Sequence, residues 1–286
     1  MSEFSFAVFG DIQMHNEVTA RVVERVCAER PDLCIVLGDL VNDADGEDSW
    51  EECRRTLAPL MQTCEVVAIP GNHDYDGTGS AEDFCRLFRE PGGETFLSLV
   101  RAGCRFILLD TQLDFDPSLR GTEGNFAADS PQARWLRAEL QQAAACREPS
   151  FVFAHHPIFV PAELYDSVSP TIRVDDRSEE LSPGNLLPLL IEGDAQIFFA
   201  GHLHMYERNL YDGVHFITTG ATGFPFPELR GGGNRFSQVR LKRNHFCQVD
   251  VRSDGLSCRV IDEYGEPMDG WDEVFRREGS TARRRP

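Results

Sequence analysis

Positive charge is scarce in this sequence: 28 lysine and arginine residues face 47 aspartate and glutamate residues, which leaves a net charge of −19. Nonspecific binding to nucleic acid depends on basic side chains that neutralise phosphates. We therefore expect no nucleic-acid partner from the overall charge. One basic cluster lies at residues 276–286, and we interpret it as a solvated, disordered tail rather than a binding arm.

Long apolar runs are also missing. No stretch of about 18 or more apolar residues occurs, so we expect no membrane-spanning segment. The first residues lead directly into the apolar run Phe4–Phe9, without the basic segment and small-residue cleavage site of a signal peptide. The nine cysteines are scattered and form no CxxC pair. This usage favours reduced thiols in a cytoplasmic protein over a disulfide framework.

Apolar runs of strand length recur along the chain and alternate with helical patterns in its N-terminal part. Strands are predicted at 4–9, 33–37 and 66–69, with helices over 15–30 and 49–61 between them. This order indicates βαβ units and a parallel sheet. The same patterns predict further strands at 105–110, 151–154, 196–200 and 215–219, helices at 81–88 and 186–192 and from Ser130 onward, and antiparallel hairpins that include 246–251 and 257–262. No internal repeat or long linker divides the chain, so one domain is predicted over residues 1–275.

Five predicted strands end in side chains that can bind a metal ion: Asp11 and Gln13, Asp39, Asn72 and His73, His155 and His156, and His202 and His204. Each group alone has an ordinary explanation as a turn or cap. Together we expect them to meet at one edge of the sheet, where open α/β proteins bind ligands. Carboxylate, amide oxygen and imidazole without thiolate suit Mn, Fe, Co, Ni or Zn. So many ligands predict two ions about 3.5–4 Å apart with one bridging carboxylate.

The residues around these strand ends resemble the ordered motifs of the calcineurin-like metallophosphoesterase superfamily. The motifs are Gly10-Asp11, Gly38-Asp39, Gly71-Asn72-His73-Asp74, His155-His156-Pro157 and Gly201-His202-Leu203-His204. The resemblance implies an α/β protein with a four-layer α/β/β/α sandwich, the metallo-dependent phosphatase fold. It also implies two divalent or mixed-valence metal ions, with Mn, Fe, Zn and Mg as candidates. The implied reaction is hydrolysis of a phosphomonoester or phosphodiester by attack of a metal-bridging hydroxide.

The resemblance also assigns a role to each residue. Asp39 would bridge the two metals, and His73 would contact the phosphate and protonate the leaving oxygen as general acid. The other ligands fall into two groups: Asp11, Gln13 and His204 for one ion, and Asn72, His155 and His202 for the other. His156 and Arg208 are the candidates for binding the substrate.

Two positions depart from the family pattern. The first motif is commonly Asp-x-His, and here it reads Asp11-Ile12-Gln13. An amide oxygen is usually a weaker donor than imidazole, so we predict reduced metal affinity there and a preference for harder ions such as Mn or Mg. Asn42 stands where some members carry a carboxylate that orients the catalytic histidine, so we expect weaker support for His73. Purple acid phosphatases have a metal-binding tyrosine at the position of Asn42. Because this chain lacks that tyrosine, we expect no purple iron–tyrosinate chromophore.

Within the superfamily, two branches share further features with this chain. The glutamine at position 13 makes the first motif resemble that of the calcineurin-like phosphoesterase-domain-containing branch. The run Tyr206-Glu207-Arg208 resembles the residues after the last motif in the purple acid phosphatases. A cyclic-nucleotide or glycerophosphodiester phosphodiesterase is the alternative enzyme, since His-His-Pro recurs in that branch. A non-catalytic protein-binding scaffold of the same fold is a third hypothesis, although only position 13 departs among the ligands. Residues 112–129, 162–182 and 224–236 are expected to form the walls of the site.

Overall fold

The computed structural model describes residues 4–89, 93–113, 130–160, 186–228 and 235–275. The predicted tail at 276–286 and most of the segments 112–129 and 162–182 lie outside these ranges. Two β-sheets lie face to face, and helices cover the outer face of each sheet. The predicted α/β/β/α sandwich is therefore confirmed.

The strands in chain order are β1 (Phe4–Phe9), β2 (Leu33–Val36), β3 (Glu65–Ala68), β4 (Leu97–Arg101), β5 (Cys104–Leu108), β6 (Ser150–Ala154), β7 (Ile197–Ala200), β8 (Tyr206–Tyr211), β9 (Val214–Thr219), β10 (Ser237–Leu241), β11 (His245–Val251), β12 (Gly255–Asp262) and β13 (Pro267–Val274). The α-helices are α1 (Glu17–Glu29), α2 (Ser49–Met61), α3 (Glu82–Phe88), α4 (Pro131–Cys146) and α5 (Leu186–Glu192). A short 3₁₀ turn spans Asn72–Asp74.

The first sheet has six strands in the order β13-β12-β11-β1-β2-β3. Strands β1, β2 and β3 are parallel, and α1 and α2 connect them as the βαβ pattern predicts. On the other side of β1, β11 runs antiparallel and begins the hairpins β11-β12-β13. The predicted C-terminal hairpins therefore extend the first sheet.

The second sheet has seven strands in the order β10-β8-β9-β7-β6-β5-β4. Its central strands β5, β6, β7 and β9 are parallel, and β4, β8 and β10 add antiparallel partners. The apolar patterns did not predict β4 or β8. Strand β8 has the sequence Tyr-Glu-Arg-Asn-Leu-Tyr, which lacks the apolar run of a buried strand. It nevertheless lies between β10 and β9 in the sheet.

The two sheets share an apolar interior rich in phenylalanine. Phe6 of the first sheet lies with its ring centroid 5.1 Å from that of Phe106 in the second, and Phe153 stacks on Phe199 at 5.5 Å. Along β1, Phe6 and Val8 belong to this interior, whereas Phe9 packs under α1 and α2. Both faces of the strand are thus buried, which explains its continuous apolar run.

Several smaller expectations are also met. Helix α4 begins as predicted, because the Ser130 side chain accepts a hydrogen bond from the amide of Ala133 and Pro131 is the first helical residue. All nine cysteines lie in the described ranges and are free thiols. Within those ranges, no helix has the length and apolar character needed to cross a membrane.

Candidate metal centre

The carboxyl ends of parallel strands from both sheets meet at one edge of the sandwich. The residues that follow β1, β2 and β7 include Asp11, Asp39 and His202, and these three adopt positive φ angles of 59°, 49° and 66°. This left-handed conformation costs a non-glycine residue of order 1–3 kcal/mol. Six other described non-glycine residues also have positive φ angles, but these three bring strained polar residues together at one edge, as in many functional sites.

Close backbone packing brings two of these loops together. A Cβ atom at Gly71 would lie 2.3 Å from Oδ1 of Asp39 and 2.8 Å from the His155 ring. Any side chain at position 71 would therefore push the third strand end away from the second. Glycine at this position lets Asp39, Asn72 and His155 approach one another.

His155 is the centre of a closely spaced group of nitrogen and oxygen atoms. Its Nδ1 lies 2.7 Å from the carbonyl oxygen of Leu37, so Nδ1 carries the proton of the neutral ring. Its Nε2 then presents a lone pair. That nitrogen lies 3.1 Å from Oδ1 of Asn72, 3.1 Å from Nδ1 of His202 and 3.3 Å from Oδ1 of Asp39. Nitrogen and oxygen donors that converge in this way could hold a metal ion.

The imidazole of His202 is neutral in these surroundings. Burial, together with the nearby His155, lowers the pKa of His202 to about 3. A neutral imidazole is the form that binds a metal ion. The hydrogen bond from Nδ1 of His155 to the carbonyl of Leu37 fixes the His155 ring, as similar bonds fix metal-binding histidines in many proteins.

A second group forms around Asp11. Its Oδ2 accepts a hydrogen bond of 3.0 Å from the amide of His202. Its Oδ1 is buried without a hydrogen bond to any described residue, 3.5 Å from Nε2 of His204. Burial raises the pKa of Asp11. Burial alone would lower the pKa of His204, but its contacts with Asp11, Asp39 and the backbone of Pro225 together raise that pKa. Asp11 and His204 therefore form a buried pair whose electrostatic contact favours the charged form of each.

The side-chain amide of Gln13 is satisfied in only one orientation. In that orientation its nitrogen donates to the backbone carbonyls of Asp11 and Asp39, both at 3.2 Å. Its oxygen then lies 3.4 Å from Oδ2 of Asp39. Two oxygens at that separation repel each other unless a cation lies between them. This orientation is the one in which the Gln13 oxygen could bind a metal ion together with Asp39.

Asp39 connects the two groups. Its Oδ1 faces His155 and accepts a hydrogen bond of 3.1 Å from the amide of His73, whereas its Oδ2 faces Gln13. The side chain is buried, with 2% of the residue exposed. Two oxygens directed at two different groups are what a bridging carboxylate requires.

His73 lies at the mouth of this cluster and is half-buried. Its Nδ1 is 2.8 Å from the backbone carbonyl of Asn42. The expectation that an asparagine at position 42 weakens the support for His73 is therefore incomplete, because the support comes from the main chain. A carbonyl at Nδ1 places the exchangeable proton of an imidazolium on Nε2.

Asp74 is a positioning residue that the sequence analysis quoted within a motif without a role. Its Oδ1 accepts hydrogen bonds from the amides of Leu40 and Val41 at 2.8 and 3.1 Å, and its Oδ2 accepts one from Gly71 at 2.7 Å. The carboxyl group thereby joins the loop after β2 to the loop after β3. Asn42 directly follows Val41 along the first loop, so Asp74 also helps to hold the residue whose carbonyl contacts His73.

A model of the family described as calcineurin-like phosphoesterase matches residues 4–206. The chain belongs to the calcineurin-like phosphoesterase family. The matched segment contains the whole candidate metal cluster, from Asp11 to His204. The family resemblance drawn from the strand-end motifs is therefore confirmed.

Two relatives and one solved structure show how far the similarity extends. The chain is 25% identical over 206 residues to the human serine/threonine-protein phosphatase CPPED1, covering 68% of the chain and 60% of the relative. It is 30% identical over 202 residues to the glycerophosphodiester phosphodiesterase GpdQ of Enterobacter lignolyticus, covering 70% of the chain and 65% of the relative. The chain thus spans less than two thirds of either relative. Purple acid phosphatase PPD1 from yellow lupin superposes with a TM-score of 0.79 at 16% identity, over 96% of the chain and 54% of that protein, and so shares the fold.

The two candidates for substrate binding in this family member have different surroundings. His156 is buried beside the cluster, its ring centroid 4.5 Å from that of His202, and its Nδ1 is 2.7 Å from the hydroxyl of Thr111. Arg208 is bound elsewhere: its guanidinium donates to both oxygens of Asp269 at 2.7 and 3.2 Å and lies over the ring of Trp271. Among the described residues, these contacts of Arg208 tie β8 to β13, and its role as a substrate ligand stays a prediction.

Proposed function

We propose that this calcineurin-like phosphoesterase is a metal-dependent hydrolase of phosphate esters that holds two divalent ions at the joined sheet edges. The observation that carries the proposal is the convergence of lone pairs at Nε2 of His155. Oδ1 of Asn72, Nδ1 of His202 and Oδ1 of Asp39 all approach that nitrogen within 3.3 Å, so three potential metal-binding atoms surround it at one point.

The donor set fits two ions. Asp39 faces both groups, and the remaining donors divide into Asp11, Gln13 and His204 on one side and Asn72, His155 and His202 on the other. Carboxylate, amide and imidazole donors without thiolate suit Mn, Fe, Zn or Mg. Two such ions lower the pKa of a bound water and polarise a phosphoryl oxygen, which is the chemistry needed to hydrolyse an ester at neutral pH.

The chain itself supplies the proton for the leaving group. His73 stands at the mouth of the cluster, with Nδ1 bound to the carbonyl of Asn42. Nε2 is therefore the nitrogen that gives a proton to the departing oxygen. The amide of His73 also donates to Asp39, so the same residue is fixed to the cluster that would hold the ions. His156, which is buried beside His202, would help to hold the His202 ring in place.

Relatives of both reaction types favour a phosphoesterase without choosing between monoester and diester. The human relative is named as a serine/threonine-protein phosphatase and the bacterial one as a glycerophosphodiester phosphodiesterase. A non-catalytic scaffold is less well supported, because His73 and the ligand set are present. A cytoplasmic location, the absence of nucleic-acid binding and a single domain over residues 1–275 stay predictions.

The test uses protein stripped of metal and refilled with Mn, Zn, Mg or Fe. We expect metal-dependent hydrolysis of p-nitrophenyl phosphate, bis-p-nitrophenyl phosphate or both, and their ratio of kcat/KM separates phosphatase from phosphodiesterase. His73→Ala should lower kcat by about 100-fold or more while the bound metal is unchanged. His215→Asn is the matched control, because that histidine pairs with Glu273 on β13. No turnover with any metal, or an unaffected His73→Ala variant, would refute the proposal.

A further inference from the structure

An aromatic side chain covers one candidate metal ligand. The ring of Phe224 lies with its centroid 4.1 Å from that of His204, and the two planes are inclined by 37°. Phe224 begins the segment Phe224-Pro225-Phe226-Pro227, which follows the strand end of β9. The apolar ring of Phe224 is therefore in direct contact with the candidate ligand His204.

The backbone that precedes this ring is fixed by side chains from other elements. The Asn16 amide donates to the carbonyl of Gly223 at 2.9 Å, and the Thr19 hydroxyl donates to that of Thr222 at 2.9 Å. The amide of Gly223 donates to the Asn244 side chain at 3.0 Å. Gly223 has a φ of 106°, and a Cβ atom there would lie 2.7 Å from oxygens of both Asn16 and Thr19. These bonds fix the backbone at Thr222 and Gly223, which leads directly into the segment.

Two exposed apolar side chains belong to the same pair of joined loops. Phe226 is 38% exposed, and Met14, next to Gln13, is 43% exposed. Single exposed apolar residues are ordinary on a protein surface. These two differ because their loops are joined by the bond from Asn16 to Gly223, and because each loop lies next to a candidate metal ligand. Apolar surface beside convergent polar groups is typical of a small-molecule site.

We propose that Phe224, Phe226 and Met14 form an apolar ledge that binds a flat aromatic group on the alcohol side of the ester substrate. The inference rests on the proposed phosphoesterase function and names its substrate class. Aromatic rings stack on one another in offset or tilted pairs, and phenylalanine offers no hydrogen bond that would favour a sugar or a glycerol. The prolines on either side of Phe226 limit its backbone and reduce the entropy lost on binding.

The test compares benzyl phosphate with cyclohexylmethyl phosphate, two monoesters of primary alcohols that differ in whether the ring is flat and aromatic. The wild type should prefer benzyl phosphate. Phe226→Leu should lower kcat/KM for benzyl phosphate by about 3- to 10-fold, the factor that one aromatic contact supplies, mainly through KM. The same variant should change kcat/KM for cyclohexylmethyl phosphate by less than about twofold. Tyr264→Leu, which removes an exposed ring in the turn between β12 and β13, is the matched control.

A second measurement separates failure of the ledge from failure of the proposed function. Calorimetry on the Mn-loaded protein compares benzylphosphonate with ethylphosphonate, and neither compound can be hydrolysed. Tighter binding of benzylphosphonate in the wild type, lost in Phe226→Leu at unchanged metal content, supports the ledge even if no ester is turned over. Equal binding of the two phosphonates, or a preference that survives in both Phe226→Leu and Phe224→Leu, would overturn it.

Discussion

Replacing Asp74 tests how the loop that presents His73 is held in place. The buried carboxyl group of Asp74 accepts the amides of Leu40, Val41 and Gly71. In Asp74→Asn, the amide oxygen can still accept from Leu40 and Val41, but the amide nitrogen faces the N–H of Gly71. One buried hydrogen bond is lost, and two donors, the N–H of Gly71 and the new side-chain amide, are left without an acceptor, which costs at least about 1–3 kcal/mol. Asp74→Ala leaves all three amides unpaired, and the resulting loss of folding stability would be roughly 3–9 kcal/mol if no water replaced the carboxylate.

The upper part of that range approaches the whole stability of a typical domain, so Asp74→Asn is the variant to measure. Urea unfolding of the metal-free protein, followed by tryptophan fluorescence, should show a lower midpoint at an unchanged m value. Asp45→Asn is the control, since the Asp45 carboxylate accepts a single exposed amide, that of Gly77, and should cost less than about 1 kcal/mol. The metal-loaded variant should also lose kcat, because the carbonyl that orients His73 follows Val41. An Asp74→Asn midpoint equal to that of the wild type would refute this reasoning.

Two further predictions concern the metal ligand set and a buried histidine. Gln13→His should tighten Zn²⁺ binding relative to Mn²⁺ by about tenfold, because imidazole replaces a hard amide oxygen; competition titrations would show an unchanged ratio if Gln13 is not a ligand. Burial lowers the pKa of His245 from 6.5 to about 4, so between these values the unfolded chain binds a proton that the folded chain does not. Stability should fall by up to about 3 kcal/mol as the pH drops through that window. His245→Gln should remove this part of the acid sensitivity, and an identical pH dependence of the unfolding midpoint in variant and wild type would count against it.

The candidate cluster could be predicted because two local signals coincide. Buried parallel strands appear as continuous apolar runs, and candidate metal ligands follow them closely in sequence, as in Val66–Ala68 before Asn72 and Phe151–Ala154 before His155. Strand order then brings the ends together. The family motifs added the division of the ligands, which no spacing alone could supply.

Other features depend on contacts between distant parts of the chain, and the sequence hides them. The carbonyl of Asn42 supports His73, although the residue type at position 42 suggested the opposite. The amide orientation of Gln13 is set by two backbone carbonyls. Arg208 follows the last motif closely in sequence, yet β8 directs its guanidinium to Asp269 on a neighbouring sheet. Polar residues also concealed β8 itself, because partner strands rather than its own pattern determine its burial.

The number of ions in the cluster tests the central claim most directly. Electron paramagnetic resonance of the metal-free protein titrated with Mn²⁺ should show two ions per chain, with a spin-coupled signal from a carboxylate-bridged pair. Asp39→Asn should abolish the coupled signal, whereas Asp45→Asn should retain it. A single uncoupled ion at saturation, or a coupled signal that persists in Asp39→Asn, would contradict the account.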